Sequence, residues 1–156
     1  YIRLARGGDK IITKPNDILK IGKGVLKIEP KDHLFISTGI TTQIAINAAQ
    51  ELNKKSNFKC GVIHLNTIKP LDKEILLRWI PKVKKIITVE ENVLSGGFGS
   101  SILEFLSDNC PENLHKVSRI GLPDKFVDKY GTQDQLLDYN NISVKNFVKQ
   151  MIKNNA

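Results

Sequence analysis

The run Ile86-Ile87-Thr88-Val89-Glu90-Glu91, followed by Gly96-Gly97-Phe98-Gly99-Ser100-Ser101 and then Ile102-Leu103-Glu104-Phe105-Leu106, decides how the chain folds. β-Branched residues read as a buried strand, the glycines permit a tight turn, and the apolar spacing after Ser101 reads as a helix. A strand, a glycine turn and a helix make a corner of the kind that lines clefts in open α/β sheets, outside the carboxyl ends of the strands.

Working outward, the same alternation recurs. Val25-Leu26-Lys27-Ile28 reads as a short strand, Pro30-Lys31-Asp32 as a turn and His33-Leu34-Phe35-Ile36-Ser37-Thr38 as a more apolar strand. So short a connection predicts an antiparallel hairpin. Ile44, Ala45, Ala48, Ala49 and Leu52 share one face of a helix, with Thr41 or Thr42 as its N-cap. Gly61 to Leu65 is the next strand. Asp72 caps a helix that buries Ile75, Leu76, Trp79 and Ile80 before Pro81 stops it. Val117 to Ile120 is a last strand, Gln133 to Tyr139 a short helix, and Ser143 caps a closing helix carrying Val144, Phe147, Val148, Met151 and Ile152. Strands alternating with amphipathic helices imply an α/β fold of three layers, α/β/α, with a mostly parallel sheet and one antiparallel edge strand.

The 156 residues suit one main core. The opening Tyr1-Ile2-Arg3-Leu4 reads as mid-strand, which suggests a piece of a longer polypeptide. Gly7-Gly8 and Asp9 to Gly24 read as a linker. No apolar run is long enough to cross a bilayer and no secretory signal is visible, so a cytoplasmic location is expected. The net charge of +8 is mostly Lys spread along the chain, which argues for solvated faces rather than nucleic-acid binding. Cys60 and Cys110 lack metal-ligand spacing and are expected to be reduced.

Few residues carry chemistry by themselves. Glu90 and Glu91 invite an acid/base reading, but neighbours on a strand point to opposite faces and cannot easily share a substrate atom. The turn Gly96-Gly97-Phe98-Gly99 could cradle a phosphate at a helix start, yet it lacks the Lys-Ser/Thr of a nucleotide loop; close packing, or an interface or cleft role, suits it better. His33, His64 and His115 are too scattered for a helical metal site, and no metal is expected. Arg3 and Arg6 stand out in a chain that otherwise prefers Lys, because guanidinium makes the fixed bidentate contacts that phosphate rewards.

The order and spacing of six pieces resemble the C-terminal part of thiamine-diphosphate-dependent transketolases and of 1-deoxyxylulose-5-phosphate synthases. They are Tyr1-Ile2-Arg3-Leu4-Ala5-Arg6-Gly7, Ile36-Ser37-Thr38-Gly39, Thr67-Ile68-Lys69-Pro70-Leu71-Asp72, Val89-Glu90-Glu91, Gly96-Gly97-Phe98-Gly99-Ser100 and Gly121-Leu122-Pro123-Asp124-Lys125-Phe126. The resemblance implies that residues 1–7 are the last strand of an upstream pyrimidine-binding domain, 8–23 a linker and 24–156 the C-terminal domain. It implies thiamine diphosphate and Mg in the complete enzyme, held by upstream domains or a separate N-terminal subunit, with none expected on this piece alone. Homodimerisation, packing and substrate-phosphate binding are the implied roles, with Arg6 matching the family's sugar-phosphate arginine and Arg3 in support.

Arg3-Leu4-Ala5-Arg6-Gly7 departs from the Arg-Tyr-Pro-Arg-Gly usual in the synthase. With Tyr130-Gly131-Thr132-Gln133-Asp134-Gln135-Leu136-Leu137, it is similar to transketolase-like chains, including split C-terminal subunits, although the synthase has a similar Gly-Thr-Gln; Gly-Gly-Phe-Gly-Ser-Ser and Gly-Leu-Pro-Asp are closer to the synthase. The expected reaction is therefore transfer of a two-carbon ketol unit between sugar phosphates. The alternatives are the synthase reaction of pyruvate with glyceraldehyde 3-phosphate, a stand-alone nucleotide- or flavin-binding module, and a pure assembly domain.

Overall fold

A computed structural model describes residues 1–4, 10–15, 17, 19–55 and 59–153. In chain order the elements are β1 (Val25–Ile28), β2 (His33–Ser37), α1 (Thr41–Lys55), β3 (Cys60–His64), α2 (Lys73–Trp79), β4 (Lys85–Val93), α3 (Phe98–Asn109), β5 (Val117–Leu122), α4 (Gln133–Tyr139) and α5 (Val144–Lys153). The strands form one sheet in the order β1-β3-β2-β4-β5, parallel throughout except for β1, which runs antiparallel to β3 at one edge.

Strand alternation divides the core. Leu34 and Ile36 of β2, Ile63 of β3 and Ile86 of β4 face α2 and α3, meeting Leu76, Ile102 and Leu106. Phe35, Val62, Ile87 and Val89 face the other way, toward Ala45, Ala48 and Leu52 of α1 and Phe147 and Met151 of α5. The rings of Phe35 and Phe147 stack with centroids 6.0 Å apart. Helices on both sides of a buried parallel sheet are the three layers that the alternating pattern implied. Cys60 and Cys110 are both free and buried, and burial pushes the Cys60 thiol up to about 12, where it stays protonated and unreactive.

The hairpin expected from the β1–β2 spacing does not form. β1 pairs with β3, Val25 opposite His64 and Leu26 opposite Ile63, while β2 lies between β3 and β4. β2 is buried at every residue and takes the centre, whereas β1, with Leu26 exposed, is left at the edge. The chain from β1 to β2 must therefore cross the start of β3. Gly61 makes that crossing possible: a Cβ there would lie 2.3 Å from the backbone nitrogen of Pro30. The crossing is fastened by the N–H groups of Lys31 and Asp32, both donating to the Lys59 carbonyl at 3.1 Å.

Other local expectations shift in detail. Thr41 and Thr42 open α1 instead of preceding it, and both are buried; the Thr41 hydroxyl lies 2.7 Å from the Thr38 carbonyl and 2.9 Å from the Val89 carbonyl, stitching β2 to β4. β4 continues past Val89 to Val93, with an irregularity in its pairing to β5 over that stretch. Tyr1-Ile2-Arg3-Leu4 is exposed and joins no strand of the described residues. Within the expected linker, Asp17 and the Ile12 carbonyl are tied to the buried amine of Lys27 on β1, and that bond holds the Asp17 carboxyl below its ordinary range.

Asp72 caps α2 as its sequence position indicated, accepting from the N–H groups of Glu74 at 3.1 Å and Ile75 at 3.3 Å. It also accepts from the Gly24 N–H at 2.9 Å, so one carboxylate ties the start of α2 to the entry of β1. Asp72→Ala would leave three donors without this partner, and about 2–3 kcal/mol of stability should be lost. Urea unfolding of the two proteins checks this; a loss below ~0.5 kcal/mol would show that water replaces the cap.

Candidate functional site

The carboxyl ends of the parallel strands converge at the β4–α3 corner. Alternation along β4 sends its adjacent carboxyl groups to opposite sides: Glu90 is fully buried, while the Glu91 side chain is about a quarter exposed. Glu90 turns inward to the head of α3, where one oxygen accepts the Phe98 N–H at 2.6 Å and the other accepts the Gly99 N–H at 2.8 Å. Those amides are the donors a phosphate cradle would use. The place is already filled by the protein's own carboxyl group.

Gly97 makes this approach possible. A Cβ at that position would fall 2.2 Å from a Glu90 oxygen and 2.3 Å from the Val93 carbonyl. Gly96 precedes it with φ of 65°, a backbone conformation disfavoured for residues with side chains. Arg119 on β5 braces the loop from beneath: its guanidinium donates to the Leu94 carbonyl at 2.9 Å and to the Ser100 hydroxyl at 3.0 Å. Spacing gave no reason to select Arg119; the available signal was the rarity of arginine. Burial raises the Glu90 pKa, opposed by the Gly99 and Phe98 N–H bonds and by the Arg119 charge.

Glu91 faces the surface. Its carboxylate lies 3.7 Å from the Arg3 guanidinium and accepts from the Gln133 side-chain amide at 3.1 Å. Arg3 also donates to the side-chain oxygen of Asn92. The structure thus brings together Arg3, Glu91, Asn92 and Gln133 at one edge, with Glu90 and Gly96 to Gly99 behind them. The sequence gives no reason to pair Asn92 with Arg3 or Gln133 with Glu91, since these partners are distant along the chain. Arg6 lies outside the described residues.

At the neighbouring strand ends, Ser37, Thr42 and His64 form a buried polar chain. The Ser37 hydroxyl is 3.0 Å from that of Thr42, which lies 2.8 Å from His64 Nδ1. Burial, aided by the nearby Lys27 charge, pushes the His64 pKa down to about 4, so its ring is neutral at physiological pH. Such a group connects β2, β3 and α1 without offering an open face to a ligand.

The residues present do not fit thiamine diphosphate with its metal. Among the described residues no cluster of three or more His, Cys, Asp or Glu side chains could hold a cation, and the α3 amides suited to a diphosphate are engaged by Glu90. No helix among the described residues is long and apolar enough to cross a membrane.

A family model described as transketolase, C-terminal domain, matches residues 22–146. The 1-deoxy-D-xylulose-5-phosphate synthase of Halothermothrix orenii is 44% identical over 128 residues, covering 81% of this chain and 20% of that enzyme. The synthase of Listeria welshimeri is 38% identical over 132 residues, covering 85% and 20% respectively. The chain therefore spans about a fifth of the length of these relatives. Among solved structures, a split gene transketolase described as an inactive beta4 tetramer superposes with a TM-score of 0.85 at 29% identity, over 98% of this chain and 48% of that one. A transketolase from Campylobacter jejuni, with a TM-score of 0.62 and 17% identity over 90% of this chain and 20% of that one, shares the fold.

Removing the Glu90 side chain would strand two buried amides, so Glu90→Ala should cost about 3 kcal/mol in chemical denaturation. A raised folded-state pKa means that the contribution of Glu90 is complete below the unfolded value near 4.3 and declines as pH rises through the higher folded value. The gap between wild type and Glu90→Ala should accordingly be wider at pH 4 than at pH 7. A gap that widens toward pH 7 would reverse the assigned direction.

Proposed function

This chain belongs to the transketolase C-terminal domain family, and from that premise we propose that it is the C-terminal portion of a thiamine-diphosphate-dependent enzyme of the 1-deoxyxylulose-5-phosphate synthase type. The observation that carries this reading is the 44% identity to a named synthase across 81% of the chain. It replaces ketol transfer, the reaction favoured by the motifs at Arg3-Leu4-Ala5-Arg6-Gly7 and Tyr130-Gly131-Thr132-Gln133, as the main proposal. Those short stretches are local, whereas the likeness to the synthases extends through the core strands and helices.

In this reading pyruvate is decarboxylated and joined to glyceraldehyde 3-phosphate, with the cofactor supplying the carbon nucleophile. Thiamine diphosphate and magnesium belong to upstream domains or to a separate N-terminal subunit. The present domain packs against them, contributes to a homodimer and orients substrate, and Arg6 holds the phosphate of the acceptor. Guanidinium suits that role because its planar fork offers paired donors to phosphoryl oxygens. Two-carbon ketol transfer remains as a second reading, favoured by the TM-score of 0.85 to a split gene transketolase chain over 98% of this one.

The two readings separate in one assay of the complete enzyme. Supplied with pyruvate and glyceraldehyde 3-phosphate it should release carbon dioxide and form a five-carbon sugar phosphate; activity only with a ketose phosphate donor and an aldose phosphate would favour ketol transfer. In the same enzyme Arg6→Ala should raise KM for the phosphorylated acceptor by about tenfold or more, the scale of a lost charge-assisted hydrogen bond. An unchanged KM would remove Arg6 from the phosphate site.

A further inference from the structure

β5 ends the sheet on one side, and among the described residues no strand pairs with its outer edge. The opposite edge strand, β1, is shorter, and its Lys27 holds Asp17 and the Ile12 carbonyl of the preceding segment. Successive residues of a strand direct their backbone groups to alternate sides, and the Leu122 carbonyl accepts from the Leu94 N–H on the β4 side. Arg119 and Gly121 therefore turn their N–H and C=O groups outward. Free edges are usually guarded by a charged side chain, a proline or a bulge. β5 contains no proline, and the extra residues of its irregular pairing lie on β4. Its one charged side chain, Arg119, is turned back to the Leu94 carbonyl and the Ser100 hydroxyl.

We propose that β5 pairs edge to edge with β5 of a second copy of this chain, antiparallel about a two-fold axis at Ile120, so that the two sheets become one. The inference names the surface for the homodimer of the reading above and rests on that reading for the second copy. Charge selects the axis. Centred at Ile120, the pairing sets Arg119 opposite Gly121 of the second copy, where they exchange N–H···O bonds, and brings Lys116 at one end of the strand beside Asp124 at the other. Moved by one residue, to an axis at Arg119, it sets two guanidinium-bearing residues directly opposite, an arrangement that like charge disfavours. The 6 residues of β5 are few against the roughly 20–30 a side of a stable interface. More surface lies just beyond the strand: Phe126 and Val127 are 99% and 61% exposed, and antiparallel pairing carries them toward the turn Pro111–Lys116 of the second copy, where Leu114 is partly buried.

The test is site-directed cross-linking of the complete enzyme by oxidised glutathione. Ile120→Cys places one thiol from each copy at the axis, within disulfide reach, and should link the subunits. Ser118→Cys sets its two thiols about 13 Å apart along the strands and should link no more than wild type, in which Cys60 and Cys110 are buried. In the Ile120→Cys background, Lys116→Asp should slow linking about fivefold, and adding Asp124→Lys should restore it, a recovery that chance collision does not give. Ser118→Cys combined with Leu122→Cys repeats the test without touching Ile120, since these two positions face each other across the axis and stand too far apart within one copy to join. If the enzyme sediments as a dimer and neither Ile120→Cys nor the Ser118→Cys, Leu122→Cys pair links above wild type, edge pairing is overturned and the homodimer stands on another surface. If it sediments as a monomer, the homodimer fails and edge pairing fails with it.

Discussion

The acceptance of the Phe98 and Gly99 N–H groups by the Glu90 carboxyl group is the contact on which the carboxyl edge of this domain depends. Helix starts present unpaired donors, and an open α/β sheet usually leaves them to a ligand. Here a side chain from the preceding strand takes them. Gly97 must then be bare to admit the carboxyl group, and Arg119 holds the intervening loop by the Leu94 carbonyl and the Ser100 hydroxyl. With Glu90 committed inward, Glu91 is the outward carboxylate, free to hold Arg3 and Gln133.

The sheet order explains why these groups meet. β2 leads through α1 to β3 on one side, and the chain then returns past β2 to β4 on the other, so the ends of β2 and β4 lie side by side at the reversal. Ligands commonly enter open sheets at such a point. In this chain the Thr41 hydroxyl closes it against the Val89 carbonyl, and Ser37, Thr42 and His64 fill the adjacent strand ends with internal hydrogen bonds. The side chains of Ser37, Thr41, Thr42, His64 and Glu90 are thus spent within the domain. What remains outward at this edge is the group formed by Arg3, Glu91, Asn92 and Gln133.

Much of this architecture was legible in the residues because it rests on local chemistry. Asp72 before an amphipathic run, the short helix from Gln133 to Tyr139, and the apolar strand from Ile86 each act over a few positions, and each is found where the pattern placed it. The β1–β2 hairpin was misread because connection length does not reveal that another strand will come between; that follows from the complete burial of β2 and from the contact of Gly61 with Pro30. At the site, opposite directions for Glu90 and Glu91 follow from strand geometry alone. Their partners do not, since Phe98, Gly99, Gln133 and Arg3 are brought close by the fold and by no spacing in the chain. The short motifs at Arg3-Leu4-Ala5-Arg6-Gly7 and Tyr130-Gly131-Thr132-Gln133 leaned toward transketolase, whereas the likeness over 128 residues leans toward the synthase, because a few positions carry less family signal than a whole core.

The claim that the α3 amides belong to Glu90 and to no ligand can be tested by NMR on the isotope-labelled chain at neutral pH, adding inorganic phosphate and then thiamine diphosphate with magnesium. The Phe98 and Gly99 amide resonances should hold their positions throughout both titrations. A saturable shift of those two amides would contradict the account and return the corner to the class of phosphate-binding helix starts.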